Sequence, residues 1–379
     1  MLKTERGLQP NVRAMKFKLH QSTFLEALKS VQGGIGSRSA NMPILSNVLI
    51  EANDETLVFT TTDFDVTVRF SCKAEVVEPG SITLPLKRLT SIVGVLSDQV
   101  VEIASDPKQD GAIRMTCGSY RSKITGIPAK EFPPIAKPEG GSTFKLDQAI
   151  FKESLRKTAY AAAVDDSRPV LMGVLLSFAD GKLTTVATDG RRLALFWTEL
   201  DFPEGQNCNA VLPARAVKEL LRSLTTGEMK ITVKETQAIF EFGDHFFSTT
   251  LMSGQYPDYK QVVFTDCENK IKVNREELIA VLQRISVSTT PTTNAMRLTF
   301  ENNLLTIAVT SPDVDEATDT VTIKYDGPSI TTIFNPEFML VPLTNLTSDE
   351  ITIELNNASS PGLIKDETTF LYLIMPLRV

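Results

Sequence analysis

Paired carboxylates are the first place to look for chemistry in this chain, and Asp165 and Asp166 form such a pair. Two adjacent carboxyl groups can act as general acid and base, but they need a nucleophile, a histidine or metal-binding neighbours at suitable spacing. The sequence offers no such partner. The dipeptides Thr62–Asp63 and Thr188–Asp189 recur in two distant places, which is typical of a structural turn. We therefore expect a loop at 165–166 and no catalytic residue.

Metal and thiol chemistry are equally unsupported. The four cysteines are Cys72, Cys117, Cys208 and Cys267, and no two of them form a CxxC pair. Neither a zinc site nor a disulfide framework is indicated, and reduced thiols in a cytoplasmic protein are the simplest interpretation. The two histidines, His20 and His245, have no ligand spacing around them. The sequence predicts no metal and no cofactor.

A glycine-rich stretch, GGIGSRS at 33–39, resembles half of a phosphate-binding loop. A nucleotide-binding loop follows a strand and carries Lys-Ser or Lys-Thr at its end. This stretch follows a predicted helix and lacks that dipeptide, so nucleotide binding is not expected.

The composition is that of a folded globular protein. The chain has 379 residues, 42% hydrophobic and 22% charged, with a formal net charge of −7. No apolar run approaches the ~20 residues of a membrane span, so no membrane association is expected. The first 14 residues, MLKTERGLQPNVRA, are polar and are predicted to be an extension ahead of the folded part. A net negative charge alone argues weakly against nucleic-acid binding.

The elements that would position any site come in three copies. The stretches FKLHQSTFLEAL (17–28), FKLDQAIFKESL (144–155) and IKVNREELIAVL (271–282) begin 127 residues apart in both intervals. Further copies are ETLVFTTTDFDV (55–66), GKLTTVATDGRR (181–192) and NLLTIAVTSPDV (303–314). Such a period is that of a whole domain rather than of a solenoid repeat.

Each copy predicts a strand, a helix, several alternating strands and a second helix. The fold class is therefore α+β, with three tandem two-helix domains and mostly antiparallel sheets. At the first helix starts, Thr23 with Glu26 fits a capping box, and Asp147 and Asn274 are good N-caps. Pro- and Gly-containing polar stretches predict the boundaries: an extension at 1–14, then domains at 15–139, 140–267 and 268–379, called here the first, second and third repeats.

Charge is sorted by element type. The six predicted helical segments (22–38, 85–96, 148–163, 213–224, 275–287 and 335–346) hold twelve basic and six acidic residues. Their charge is +6, which leaves −13 for the rest of the chain. One interpretation is a chance surplus of basic residues on solvated helix faces. The sharper one is a surface on which helices from every repeat face a polyanion and contact its phosphates without reading sequence.

Four further motifs carry a resemblance to a known family: MPILSNVLI (42–50), VATDGRRLA (186–194), YPDY (256–259) and the terminus IMPLRV (374–379). With the three repeats, they resemble the bacterial DNA polymerase III beta subunits, the sliding clamps, from Met15 to Val379. The resemblance implies a head-to-tail homodimeric ring with helices lining the hole, sheets outside and double-stranded DNA running through it. It implies a non-catalytic processivity factor.

The resemblance also implies a pocket that takes short peptides from the DNA polymerase III catalytic subunit, the clamp loader, and other polymerases and repair proteins. The matching positions are Leu171, Thr188, Gly190, Arg191, Arg192, Leu193, Pro257, Val262, Asn335, Phe338, Ile374, Met375, Pro376, Leu377 and Arg378. The chain departs from relatives at Gln261, where a basic residue is common, and at Phe338, where a larger hydroxyl-bearing aromatic is common. Those departures bear on peptide preference.

DNA contacts and a dimer contact complete the expectations. The helix charges predict DNA contacts, and the resemblance adds the loop arginine, giving Arg38, Lys87, Arg88, Lys152, Arg156, Lys157, Arg215, Arg222, Arg275 and Arg284. The resemblance places the dimer contact between an edge strand near Ser122 and Ile124 and a helix end near Val287 and Ser288.

Two alternatives stay open on sequence grounds: a monomeric peptide-binding scaffold of the same fold, and an enzyme acting on DNA. The second would need a carboxylate cluster or an activated nucleophile, which the sequence does not offer.

Overall fold

The computed structural model describes residues 15–106, 109, 111–135, 140–203, 205–263, 267–288, 294–311, 314–366 and 369–377. Within these ranges six α-helices occur, two in each repeat. They are α1 (Gln21–Ser30), α2 (Leu86–Val93), α3 (Gln148–Thr158), α4 (Ala214–Ser223), α5 (Arg275–Ser286) and α6 (Pro336–Thr344).

Strands outnumber helices in every repeat. The first repeat contains β1 (Lys16–His20), β2 (Asn47–Asn53), β3 (Thr56–Thr62), β4 (Val66–Lys73), β5 (Glu75–Glu78), β6 (Gly80–Pro85), β7 (Val100–Ser105), β8 (Ala112–Cys117) and β9 (Tyr120–Thr125). The second contains β10 (Ser142–Asp147), β11 (Gly173–Ala179), β12 (Lys182–Thr188), β13 (Arg192–Glu199), β14 (Cys208–Pro213), β15 (Glu228–Val233), β16 (Gln237–Phe242) and β17 (His245–Thr250). The third contains β18 (Asn269–Asn274), β19 (Met296–Glu301), β20 (Leu304–Ser311), β21 (Val314–Lys324), β22 (Ile330–Phe334), β23 (Glu350–Leu355), β24 (Gly362–Lys365) and β25 (Phe370–Ile374).

The chain forms two compact units. The first comprises the described residues up to Lys145 together with Gly227–Thr250. It contains a five-stranded sheet, in the order β5-β1-β7-β8-β9, and an eight-stranded sheet, in the order β10-β15-β16-β17-β4-β3-β2-β6. At the junction of repeats, β17 pairs with β4 in antiparallel register, with Phe70 opposite His245.

The second unit comprises the described residues of Leu146–Thr226 and Leu251–Val379. Its twelve-stranded sheet has the order β14-β11-β12-β13-β25-β24-β23-β18-β21-β20-β19-β22. Here β13 of the second repeat pairs antiparallel with β25 of the third, with Arg192 opposite Ile374. At both junctions, the strand that follows the Thr-Asp dipeptide of one repeat (β4 or β13) pairs with the last strand of the next repeat (β17 or β25).

Each repeat buries the same positions. Phe17 and Phe24 are fully buried in the first repeat, and Phe24 also packs 5.9 Å from Phe59, ring centroid to ring centroid. Phe144 and Phe151, 127 residues later, are buried in the second repeat. In both repeats one ring lies on the first strand and the other on the helix that follows it, so the 127-residue offset of the sequence places equivalent rings in equivalent cores.

The helix starts agree with the sequence in two repeats of three. The Asp147 and Asn274 side chains accept backbone N–H groups of Ala149 and Glu277, as predicted for N-caps. The Thr23–Glu26 capping box is wrong, because α1 begins at Gln21 and its N-cap is His20, which makes no side-chain cap hydrogen bond. The α+β class with antiparallel sheets is confirmed, since the strand pairs described above all run antiparallel.

Candidate functional site

A tight turn between β12 and β13 carries part of the predicted peptide pocket and is held by side-chain hydrogen bonds. The Thr188 hydroxyl accepts the Gly190 N–H (3.0 Å) and donates to the Arg192 carbonyl (2.6 Å). One Asp189 carboxylate oxygen, Oδ1, accepts the N–H groups of both Arg191 (2.9 Å) and Arg192 (3.0 Å). Gly190 has φ +83°, a left-handed conformation that favours glycine. The Thr-Asp pair is therefore structural, as the sequence predicted.

A cavity of about 170 Å³ opens beside this turn in the second unit. Its walls are mostly apolar and come from the turn, the segment at 168–171, the segment at 257–262 and the end of β25. The lining residues are Arg168, Leu171, Thr188, Gly190, Arg191, Arg192, Leu193, Pro257, Asp258, Tyr259, Val262, Leu373 and Met375. A cavity of ~150 Å³ holds a benzene-sized group, so this one suits a single bulky apolar side chain.

The floor of the cavity belongs to a buried cluster. Leu193 and Leu373, which line it, pack with Leu175, Val186, Leu195, Val211, Cys267, Leu363 and Leu371. Tyr256 and Tyr259 lie against the same cluster, and burial raises the pKa of both phenols. Phenols are uncharged at neutral pH already at their ordinary pKa, and burial disfavours the phenolate further.

Arg192 is fixed by two neighbours. Its Nε donates to Asp189 Oδ2 at 3.0 Å, and only 11% of its side chain is exposed. Its guanidinium lies over the Phe338 ring, 4.1 Å from the centroid, in a cation–π contact. The Phe338 carbonyl in turn accepts the Tyr372 hydroxyl at 2.8 Å. Arg192 thus lines the cavity with its guanidinium held on one side by a carboxylate and on the other by an aromatic ring.

The last residues that the structure describes, 375–377, run past the same turn. Met375 donates its N–H to the Arg191 carbonyl (2.9 Å), and Leu377 donates to the Ile333 carbonyl (2.8 Å). The Met375 and Leu377 side chains are both partly exposed. Backbone hydrogen bonds thus hold an apolar tail at the rim rather than letting it fray.

The structure brings most of the predicted pocket residues together. Nine of them line the cavity: Leu171, Thr188, Gly190, Arg191, Arg192, Leu193, Pro257, Val262 and Met375. Others flank it without lining it: Phe338 under Arg192, Ile374 in register with Arg192, and Leu377 beyond Met375. Asn335 caps α6, its side chain accepting the Glu337 N–H at 2.9 Å. Pro376 lies between Met375 and Leu377, and Arg378 lies outside the described residues.

Four lining residues were not predicted: Arg168, Asp258, Tyr259 and Leu373. For Leu373 a signal existed, because alternation along β25 puts it on the same face as Met375. Tyr259 and Asp258 belong to the YPDY motif, of which only Pro257 was assigned. Arg168 had no signal, since it follows the Asp165–Asp166 pair in a segment without periodicity. That pair has no catalytic arrangement: Asp166 binds Arg168, whose guanidinium holds the pKa of this carboxyl below its usual value.

Two of the predicted DNA contacts are wrong. The Lys157 side chain is only 5% exposed, and its ammonium binds Asp366 at 2.8 Å and Glu153 at 3.0 Å. It also lies over the rings of Phe196 and Phe370. The Lys157 ammonium is therefore paired with carboxylates inside the second unit and is not available to a DNA phosphate.

Arg275 is the second correction. Its Nε donates to the Ser348 carbonyl at 2.7 Å and its Nη1 to the Leu343 carbonyl at 3.4 Å. It therefore satisfies carbonyls at and beyond the end of α6, and little of its side chain reaches solvent.

The other predicted DNA contacts are at least partly exposed. The side chains of Lys87 and Arg88 on α2 and of Arg156 on α3 make no ion pair or hydrogen bond with other described residues. Arg38 pairs with Asp65 (2.7 Å), and Arg284 pairs with Asp319 (2.7 Å). The remaining ones are Lys152, bonded to the Leu224 carbonyl at 2.7 Å; Arg222, paired with Glu219 at 2.8 Å; and Arg215.

The predicted dimer residues fall on two distinct features. Ser122 and Ile124 lie in β9, which pairs with β8 and has no second neighbour among the described strands. Ile124 is buried, and the Ser122 hydroxyl oxygen is buried with no hydrogen-bond partner among the described residues. Val287 and Ser288 follow α5, and Val287 is 84% exposed.

Two kinds of feature are absent from the described part of the chain. No helix there is long and apolar enough to cross a membrane. No group of three or more His, Cys, Asp or Glu residues there is arranged to hold a metal ion.

Comparisons with known proteins agree with this geometry. Residues 15–136, 145–258 and 260–378 match, in turn, the N-terminal, central and C-terminal domains of the DNA polymerase III beta subunit. The beta sliding clamp of Chlamydia trachomatis serovar D is 31% identical over 368 residues, covering 97% of this chain and 88% of the relative.

Solved structures give the same result. The DNA polymerase III subunit beta from Pseudomonas aeruginosa is 27% identical with a TM-score of 0.91, covering 96% of this chain and all of the other. The sliding clamp from Bartonella birtlesii bound to griselimycin is 30% identical with a TM-score of 0.91, covering 97% of this chain and all of the other.

The three-repeat fold, with an apolar cavity beside the Thr188–Arg192 turn, thus defines a protein of the clamp class. The chain belongs to the DNA polymerase III beta subunit family. Its function is that of a DNA sliding clamp, a non-catalytic processivity factor.

Proposed function

We propose that two copies of this chain join head to tail into a ring around double-stranded DNA. The observation that carries the proposal is the strand pairing at the two repeat junctions, β4 with β17 and β13 with β25. The equivalent strands of the third and first repeats are β21 and β9. In the proposed ring, β21 of one copy pairs with β9 of the other. A heterologous contact of this kind closes into a ring when the rotation permits.

The two known junctions predict the register of the third. Val68 lies opposite Phe247 in the first junction, and by the repeat alignment the corresponding residues are Glu316 in β21 and Ser122 in β9. The end of α5 packs alongside β21 through the Arg284–Asp319 ion pair, which brings Val287 and Ser288 near the same contact. Three repeats per chain and two chains give six similar domains in the ring.

A disulfide tests this register. In an antiparallel pair, opposite Cα atoms are ~4.5–5.5 Å apart, within reach of a disulfide. The double variant Ser122→Cys with Glu316→Cys should give a covalent dimer on mild oxidation. The matched control, Ser122→Cys with Thr320→Cys, moves one thiol about 13 Å along the strand and should not. Equal cross-linking of both, or of neither, contradicts the proposed contact.

DNA passes through the ring in this proposal, held by phosphate contacts that do not read sequence. The contacts are Arg38, Lys87, Arg88, Lys152, Arg156, Arg215, Arg222 and Arg284. What supports them is the basic surplus of the helices on a chain of net charge −7. Reversing Lys87 and Arg88 to glutamate should weaken DNA retention and reduce its salt dependence. The same reversal at Lys182 and Lys230, on strands, should leave both unchanged.

The cavity beside the Thr188–Arg192 turn is proposed to take short peptides of the DNA polymerase III catalytic subunit, the clamp loader, and other polymerases and repair proteins. An apolar cavity with a few polar groups at its rim suits an extended peptide anchored by one bulky side chain. Deleting Met375–Val379 should abolish binding of a polymerase-derived peptide and leave the fold intact. Unchanged binding would refute the assignment.

A cytoplasmic location is part of the proposal, because chromosomal DNA and its polymerases are there and no cysteine pair calls for an oxidising compartment. No observation favours the monomeric scaffold over the ring.

A further inference from the structure

The basic surplus of the helices is divided unevenly among the three repeats. Helices α1 and α2 of the first repeat hold three basic residues and one acidic residue, and α3 and α4 of the second hold six basic and two acidic residues. Helices α5 and α6 of the third repeat hold two basic and three acidic residues. The third repeat therefore lacks the positive charge that attracts DNA phosphates.

The repeats can be compared position by position, and one informative position is the ninth residue of the first helix. It is Lys29 in α1, Arg156 in α3 and Gln283 in α5. All three residues are at least partly exposed, so this position is accessible in every repeat. It is uncharged only in the third repeat.

A second informative position is the second residue of the second helix. It is Lys87 in α2, Arg215 in α4 and Glu337 in α6. These residues are also at least partly exposed. The third repeat thus presents a carboxylate where each of the other two presents a cation, and a carboxylate repels a phosphate.

The two cations that α5 does hold are engaged within the chain. Arg275 donates to two carbonyls at and beyond the end of α6. Arg284 is the tenth residue of α5, the position of the buried Lys157 in α3, and it binds Asp319 of β21 at 2.7 Å. Of the DNA contacts proposed above, Arg284 should therefore contribute least.

We propose that the ring holds double-stranded DNA chiefly on the helices of the first and second repeats, and that Gln283 and Glu337 make the third repeat the weak side of the hole. This inference rests on the proposed ring and adds where along its wall the DNA is held. Because the two chains are related by symmetry, the ring has two weak sides, opposite each other. A cation restored at either position should make the third repeat bind DNA as well.

The test measures binding of a labelled short duplex to the full-length chain by fluorescence anisotropy across a series of NaCl concentrations. Each phosphate contact contributes about 0.9 to the slope of log affinity against log salt. In Arg156→Gln the slope should become shallower by about 1 for each copy that meets the duplex, and the affinity should fall. In Gln283→Arg and in Glu337→Lys the slope should become steeper by a similar amount, and the affinity should rise.

The matched control adds a lysine elsewhere in the third repeat. Glu276, the second residue of α5, is exposed like Glu337, but the other repeats have Ser22 and Ala149 at its position rather than a cation. Glu276→Lys makes the same change in net charge as Glu337→Lys and should alter the salt slope much less. Glu337→Gln, which removes the carboxylate without adding a cation, should lie between the wild-type chain and Glu337→Lys. A melting temperature and a solution mass equal to those of the wild-type chain exclude a defect of fold or ring in each variant.

Three results would overturn the inference and leave the ring standing. If Gln283→Arg and Glu337→Lys leave affinity and slope unchanged, these positions do not face the DNA. If Glu276→Lys raises the affinity as much as Glu337→Lys, overall charge and not position is responsible. If Arg156→Gln has no effect, its helix position is not a contact in the second repeat either. Failure of the wild-type chain to bind the duplex at any salt concentration would instead refute the proposed ring around DNA, and the inference with it.

Discussion

The turn at 62–66 in the first repeat and the turn at 188–192 in the second have the same hydrogen-bond framework. In the first, the Thr62 hydroxyl accepts the Phe64 N–H (3.2 Å), and Asp63 Oδ1 accepts the N–H groups of Asp65 (3.2 Å) and Val66 (2.9 Å). Thr188 and Asp189 make the corresponding bonds in the second turn. The third position is left-handed in both, with φ +75° at Phe64 and +83° at Gly190.

The side chains on this common framework differ at two positions. Phe64 holds an aromatic ring, 50% exposed, where Gly190 leaves the cavity open. Val66 is buried where Arg192 binds Asp189 and covers Phe338. In the first turn a different arginine, Arg38, donates to the Asp63 carbonyl and pairs with Asp65. The two turns share one backbone conformation. The second borders a cavity because Gly190 has no side chain and because Arg192 is held by Asp189 and Phe338.

The comparison extends to the helix under each turn, where α1 has Ser30 at the position of Lys157 in α3. Giving the second repeat the residue of the first, Lys157→Ser, removes the ammonium that pairs with the buried Asp366. Breaking such a pair costs about 3 kcal/mol in the free energy of unfolding, which urea denaturation measures. Glu153→Gln, which alters only the more exposed partner, should cost well under ~1 kcal/mol. Similar losses in the two variants would mean that the buried pair is not special.

Exchanging the third turn residue should close the cavity. In Gly190→Phe the nearest described atom outside the turn is Arg168 Nη2, 3.6 Å from the added Cβ, so the Cβ itself fits. The ring should then cover the mouth and weaken peptide binding about 10- to 100-fold, the value of burying one large apolar side chain. Gly190→Ala carries the same left-handed strain, ~1–2 kcal/mol, without the ring. If alanine weakens binding as much as phenylalanine, strain and not occlusion is the cause.

Exchanging the fifth position, Arg192→Val, removes the ion pair to Asp189 and the contact with Phe338. The unfolding free energy should fall by about 1.5–2 kcal/mol, and peptide affinity should fall about tenfold because one wall of the groove is lost. Arg192→Met keeps the apolar stem and should retain part of the affinity. Calorimetry of unfolding and peptide titration separate the two effects, and an unchanged melting temperature in Arg192→Val contradicts the geometry described.

The smallest effect is expected in the first turn. Phe64→Gly relieves left-handed strain but makes the unfolded chain more flexible, so the free energy of unfolding should change by no more than about 0.5 kcal/mol. Peptide binding should not change at all, in contrast to Gly190→Phe. A peptide affinity that responds to Phe64→Gly would show that the first turn also takes part in binding.

Repetition made most of the fold predictable. Three copies of one pattern fix helix starts, strand alternation and core positions, and each copy checks the others. The capping-box prediction failed because it matched Thr23 and Glu26 to a local motif without comparing this helix start with those of the other two repeats. His20 lies where Asp147 and Asn274 stand, and that alignment indicated the correct helix start.

The site was predictable where motifs are contiguous and not where distant segments meet. Thr188, Gly190 and Arg192 belong to one motif, whereas Arg168 reaches the cavity only through the fold. Lys157 was assigned to DNA because counting charge along a helix cannot tell which face packs on β13 and β25. Burial of that lysine depends on Asp366, a residue 209 positions away along the chain.

Ring formation by two identical chains is the central claim, and the solution mass across a dilution series tests it most directly. Light scattering or sedimentation should give a species near twice the chain mass of 41.7 kDa that dissociates only on dilution. A mass of 41.7 kDa at every concentration would contradict the ring, because a single chain has only two of the three strand junctions in the series.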